Sequence, residues 1–237
     1  ASDGIMVARG DMAVEAGAEV VPIVQRKLIN LCREYSKLCI VATQMMSSMV
    51  ENPEPTRAEV SDVANAVLQG ADAVMLSDET ANGKYPLETV KEMKKVILYT
   101  QNHAEITPLR HDPTSTNHNY DAISRAAARL AEQIEADVII CQTASGATAS
   151  AIAAQRPNVP IVSISSNDRT TNQLALMYAN SAFNRPYSEE YGADLARELK
   201  ESGYLHTKEG QEDLTVVIVS GEKGKIAGTD TIQIRKI

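Results

Sequence analysis

The chain has 237 residues, 43% of them apolar, which suffices for one large or two modest packed domains and excludes disorder throughout. Its 23 Lys and Arg against 31 Asp and Glu give a net charge of -8 with no basic block, so nucleic acid is not an expected partner. No apolar run has the length to cross a bilayer and the amino terminus has no secretion-signal pattern, which predicts a soluble cytoplasmic protein with no membrane partner.

In chain order, residues 5–8 form a short apolar run that delivers Arg9, Gly10 and Asp11 at its carboxyl end. Residues 39–43 and 73–76 repeat the layout, ending in Thr43 and Gln44 and then in Ser77, Asp78, Glu79 and Thr80. Helix-like stretches occupy 18–35, 57–69 and 87–102. Strand alternating with helix predicts a parallel sheet, and the carboxyl ends of such strands are where α/β enzymes keep their chemistry. In the first helix, Val20, Val21, Ile23, Val24, Leu28, Ile29 and Leu31 are the expected sheet-facing side. Gln25, Arg26, Lys27 and Asn30 are the expected solvent side, and Pro22 fits near the first turn.

Residues 107–120, TPLRHDPTSTNHNY, have no apolar period and read as a linker between a first domain, 1–106, and a second, 121–237. Beyond it, Ile123, Ala126, Ala127, Leu130 and Ile134 mark a helix, and 138–141 a strand. Further strands are expected at 161–164, 214–219 and 231–234, with helices near 148–155, 170–178 and 193–201. The last two strands, separated by Gly221, Gly224 and Gly228, leave no room for a helix and predict an antiparallel edge pair. The three cysteines, Cys32, Cys39 and Cys141, lack any paired spacing and read as buried reduced thiols. His103, His111, His118 and His206 show no ligand spacing, so zinc has no support.

Each polar strand end admits two readings. Asp11 is either a ligand for a hard cation beside backbone N–H groups that bind an anion, or a helix or turn cap. Arg9 is a substrate clamp or an ordinary ion pair. Thr43 either orients or protonates a reacting carbon or is a satisfied strand-end hydroxyl. Glu79 joins a hydrogen-bond network under a substrate, while Ser77 or Asp78 competes as a helix cap. Thr143-Ala-Ser-Gly-Ala-Thr148 lies between a strand and a helix, as a phosphate nest or as plain capping. The 220–225 loop, SGEKGK, lacks phosphate-loop spacing and reads as a solvated hairpin.

Read together, SDGIMVARGDMAVE, VATQMMSSMVENPEPTRAEVSDVANAVLQGADAVMLSDETANGKYPLE, TASGATASAIAAQRP and GTDTIQI resemble the pyruvate kinases over essentially the whole chain. The resemblance implies α/β architecture: the last three βα units of a (β/α)₈ barrel, then a three-layer α/β regulatory domain with a mixed, mostly parallel sheet. It implies phosphoryl transfer from phosphoenolpyruvate to ADP with Mg²⁺ (or Mn²⁺) and K⁺, an allosteric sugar phosphate, and a homotetramer. By motif, Asp11 resembles the metal-ligating aspartate, Gly10 and Asp11 supply N–H groups to the substrate carboxylate, and Thr43 lies near the carbon that becomes the pyruvate methyl, with Arg9 beside them. Thr143, Ser145, Gly146 and Thr148 resemble the effector phosphate loop, although Ala144 and Ala147 replace residues often polar or basic there. Asp78 stands where the family often has Gly. The phosphoryl-neutralising Lys, the second metal-binding carboxylate and the lid domain of the family have no match here. The chain alone is therefore expected to be inactive, and a non-catalytic phosphometabolite-binding or assembly module is the competing reading.

Overall fold

A computed structural model describes residues 2–109, 119–186, 188, 190–208, 210–221 and 228–237. The chain divides into two compact units, Ala1–Arg110 and His111–Ile237. Most of the expected linker, with His111 and His118, lies outside the described residues, as does most of the 220–225 loop.

The first unit is built on three parallel strands, β1 (Gly4–Ala8), β2 (Leu38–Ala42) and β3 (Ala73–Met75), in that spatial order. Ala8 pairs with Ala42 and Ala42 with Met75, so the three carboxyl ends are level at one end of the sheet. Between and after the strands run α1 (Arg9–Ala16), α2 (Val21–Glu34), α3 (Arg57–Gln69), α4 (Asp78–Ala81) and α5 (Pro86–His103). This is the succession of βα units that a (β/α)₈ barrel repeats. Local chemistry sets the helix ends. Pro22 and Pro86 occupy first turns, where a missing N–H costs nothing. Thr56 and Glu59 form a reciprocal capping box at the start of α3, and Gly70 closes it in the left-handed conformation.

Two expectations are corrected here. The helix expected over 18–35 starts at Val21, after a 3₁₀ turn at Ala18–Val20, and α1 precedes it as an unexpected element. Its buried side is Gln25, Ile29, Cys32 and Arg33, whereas Ile23 is 60% and Leu31 44% exposed. Those four residues follow i, i+4, i+7 and i+8 spacing, so they share a face as strictly as the apolar set does. The polar members are tolerated because they find partners. Gln25 Nε2 donates to Gln69 Oε1 at 3.0 Å, and Arg33 Nη1 donates to the Thr107 carbonyl at 2.6 Å. The core beneath joins Val7, Ile29, Cys39, Val41, Met45, Met46, Met49, Val63 and Met93.

The second unit has a five-stranded sheet ordered β6 (Asn180–Asn184), β5 (Ile161–Ser165), β4 (Val138–Gln142), β7 (Thr215–Gly221) and β8 (Thr229–Lys236). All pairs are parallel except β7 with β8, the antiparallel edge pair expected from the sequence. The helices are α6 (Asn119–Gln133), α7 (Ala147–Ala154), α8 (Asp168–Leu174) and α9 (Tyr191–Glu201). Val138, Ile140, Val162, Ile164, Val216 and Ile218 cluster with Leu195 and Leu199 of α9. The alternate residues Ile139, Cys141, Val217 and Val219 are buried as well, so both faces of the central strands are covered, as their unbroken apolar runs require. The helix expected over 170–178 instead begins at Asp168, because Asn167 Oδ1 accepts the Arg169 and Thr170 N–H groups and fixes its start. Cys32, Cys39 and Cys141 are buried and in no disulfide, and burial pushes the Cys141 thiol far above its ordinary pKa.

Candidate active site

The level ends of β1, β2 and β3 gather every polar residue singled out in the first unit. The β1 chain passes without a loop into α1, so Arg9, Gly10 and Asp11 form that helix's first turn, where backbone N–H groups have no acceptor within the helix. One of them is met from the next strand, for Gly10 N donates to Thr43 Oγ1 at 3.0 Å. The hydroxyl of Thr43 is thereby fixed one residue from Asp11, across the tips of two paired strands.

Arg9 holds the same corner from below. It is 8% exposed, and its Nε donates to the Ala42 and Thr43 carbonyls at 3.3 and 3.2 Å. Nη2 donates to the Thr43 carbonyl at 2.6 Å and Nη1 pairs with Asp62 Oδ2 of α3, also at 2.6 Å. Of the two sequence readings, this geometry is that of an internal ion pair positioning the Thr43 backbone. Asp62 lies 53 residues away and gave no local signal.

Thr43 and Gln44 both lie in the left-handed region, with φ of 72° and 54°. For a β-branched residue that is a genuine outlier, and it persists only where its surroundings over-determine it. The Arg9 bonds and the Gly10 contact supply part of that constraint. Two carboxylates brace the loop that follows. Glu79 is 2% exposed; its Oε1 accepts Met46 N at 3.1 Å and its Oε2 accepts Ser77 N at 2.8 Å, tying the loop after β2 to the loop after β3. Glu59 accepts from the backbone and hydroxyl of both Ser48 and Thr56. Partial burial pushes its pKa up, but those four bonds outweigh it and hold the carboxyl below the ordinary glutamate range.

Asp11 is exposed and has no side-chain bond recorded among the described residues. The N-cap of α1 is Ala8, with no side-chain cap, so Asp11 is not a helix cap. Ser77 occupies the N-cap position of α4 without capping it. Asp78, at the position where the family often has Gly, opens α4 without a left-handed backbone. Among the described residues no three His, Cys, Asp or Glu side chains group as a metal site. A single exposed carboxylate does not hold Mg²⁺ or Mn²⁺, so the donor set here is incomplete.

In the second unit, three hydrogen bonds hold the Thr143 to Thr148 loop. Gly146, at φ 87°, donates its N–H to Thr143 Oγ1 at 2.9 Å, Thr170 Oγ1 donates to the Ala144 carbonyl at 3.1 Å, and Thr148 Oγ1 is hydrogen-bonded to Thr229 Oγ1. Thr148 is buried and Ser145 exposed. No helix of the described residues is long and apolar enough to cross a membrane.

Comparison with known proteins agrees with this arrangement. Residues 1–90 match the family model described as pyruvate kinase, barrel domain, and residues 121–235 the model described as pyruvate kinase, alpha/beta domain. The chain is 41% identical to the pyruvate kinase of Thermotoga maritima over 241 aligned residues, covering 100% of this chain and 50% of that protein. It is 39% identical to the enzyme of Mycobacterium intracellulare over 238, covering 100% and 50%, and 39% to that of Geobacillus stearothermophilus over 242, covering 100% and 40%. It thus spans about half the length of the curated relatives it matches. Barrel-type βα units followed by the alpha/beta domain, with matches across both, establish that the chain belongs to the pyruvate kinase family.

Proposed function

We propose that this chain forms part of a glycolytic pyruvate kinase that transfers the phosphoryl group of phosphoenolpyruvate to ADP, and that on its own it does not turn over. The observation that carries the reading is the 3.0 Å bond from Gly10 N to Thr43 Oγ1, which joins the residues resembling the substrate-binding turn to the hydroxyl resembling the group beside the reacting carbon. Loss of the phosphoryl group leaves an enolate whose carbon must take up a proton. A hydroxyl that accepts its hydrogen bond from a backbone N–H keeps its own proton free to donate, and the left-handed Thr43 backbone fixes its direction. The N–H groups of the first turn of α1 suit the substrate carboxylate. Asp11 offers one oxygen to a divalent cation, Mg²⁺ or Mn²⁺; its further ligands and any K⁺ site would lie outside this chain. Homotetramer assembly, a cytoplasmic location and a sugar-phosphate effector near Ser145 belong to the same reading.

The test places Thr43→Val and Thr43→Ser in a chain of the relatives' full length that contains these residues, with pyruvate formation measured by a coupled assay. Thr43→Val is expected to lower kcat on the order of 10²-fold or more with KM little changed, and Thr43→Ser to retain most of it. Full activity of Thr43→Val would exclude the proton-donating role.

A further inference from the structure

We propose that Asn82 and Gly83, at the end of α4, form a site of spontaneous main-chain modification that converts Asn82 to aspartate and isoaspartate. Theirs is the one Asn-Gly step in the sequence. In this chemistry the Gly83 nitrogen attacks Cγ of Asn82. The N–Cγ bond forms, the Cγ–Nδ2 bond breaks, and ammonia departs carrying the Gly83 amide proton. Water then opens the resulting five-membered imide at either carbonyl, giving aspartate or the β-linked isomer. No reagent beyond solvent is needed.

The fold both creates and restrains this step. Asn82 is exposed, and it follows a helix of four residues. The glycine that makes the neighbouring nitrogen accessible is demanded by packing. A Cβ on Gly83 would sit 2.4 Å from the Glu79 carbonyl oxygen and 3.0 Å from its carbon, so no larger residue fits without moving backbone. The restraint is Asp78. Gly83 N donates to the Asp78 carbonyl at 2.8 Å, and Asn82 Nδ2 donates to Asp78 Oδ1 at 3.1 Å, holding nucleophile and leaving group apart from the geometry of attack. Reaction therefore waits on opening of these two bonds. Its consequence reaches the strand ends. The β-linked product lengthens the main chain by one methylene at residue 82, two positions before Lys84, whose N–H donates to the Val50 carbonyl at 2.9 Å. It also lies beside Glu79, which holds Met46 and Ser77.

The experiment incubates the whole chain at mildly alkaline pH beside an unstructured peptide of residues 77–87 and the Asp78→Ala variant, with an Asn82→Gln chain as the unreactive control. Peptide mass gives conversion, and fragmentation that distinguishes the β-linkage gives the product. Conversion is expected at Asn82 ahead of every other asparagine, roughly tenfold slower in the folded chain than in the peptide, and several-fold faster in Asp78→Ala. Asn82 staying intact while another asparagine such as Asn102 converts would overturn the site. Equal rates in chain and peptide, or an Asp78→Ala rate no faster than that of the parent chain, would overturn the gate. The readout is mass, so the result stands or falls apart from the catalytic reading.

Discussion

Removal of the Glu79 carboxylate is the sharpest probe of how the strand ends are held. Glu79→Ala strips the acceptor from Met46 N and Ser77 N, bonded at 3.1 and 2.8 Å. A hydrogen bond to a charged group contributes about 1.5–3 kcal/mol, and a buried donor left without acceptor costs about 1–3 kcal/mol. Met46 is fully buried and Ser77 only partly, so water can replace the second bond better than the first. The expected loss is therefore about 3 kcal/mol, nearer one full bond plus part of another than two. Glu79→Gln keeps one acceptor oxygen but turns an NH₂ toward the other N–H, and should lose about 2 kcal/mol. Urea unfolding of the whole chain followed by circular dichroism measures the total, and native-state exchange of the Met46 amide measures the local part, expected to quicken on the order of 10²-fold. A Glu79→Ala chain within about 0.5 kcal/mol of the parent, with Met46 exchange unchanged, would refute the carboxylate clamp.

Gln44 is exposed at φ 54° with no side-chain bond recorded among the described residues, so Gln44→Gly should relieve backbone strain and raise stability by about 1 kcal/mol in the same urea experiment. A loss of stability would mean that the left-handed backbone there is not strained. For Glu59, the folded pKa is depressed, so the stability it contributes is fully present above the ordinary glutamate value of 4.5 and is lost as pH falls through the lowered folded value. Protection of the Ser48 amide should follow that acid limb, and Glu59→Gln should flatten it; an unaltered limb in the variant would assign the effect to another group.

The strands β4, β5 and β7 were legible because buried parallel strands must be apolar along their length, and β1 and β2 from short apolar runs although β1 buries only Val7; alternation with helices then dictated parallel pairing. β6 was not. Asn180-Ser-Ala-Phe-Asn184 carries one large apolar residue, and as an edge strand with no fully buried position it needs no more. α1 was hidden for a related reason: Arg9-Gly-Asp has neither a capping side chain nor an apolar period, and the helix is imposed by the strand that feeds it. The burial of Gln25 and Arg33 depends on Gln69 and Thr107, partners 44 and 74 residues away that no local pattern encodes.

Most of the remaining departures from local rules in the first unit gather at one place, although a left-handed Ser36 precedes the other end of β2. A buried arginine at 9, a buried glutamate at 79, and left-handed non-glycine backbone at 43 and 44 all occur at the same end of one three-stranded sheet, linked by hydrogen bonds. Desolvating charges and straining a β-branched residue both cost stability, and sequences that otherwise follow their propensities concentrate such costs where geometry serves a ligand. The Thr143 to Thr148 loop offers the contrast. Its single left-handed residue is Gly146, which has no Cβ to strain, and the hydroxyls of Thr143 and Thr148 are bonded within the unit. The strain that the first unit accepts therefore lies at the ends of β1 and β2, where Thr43 is held against Gly10.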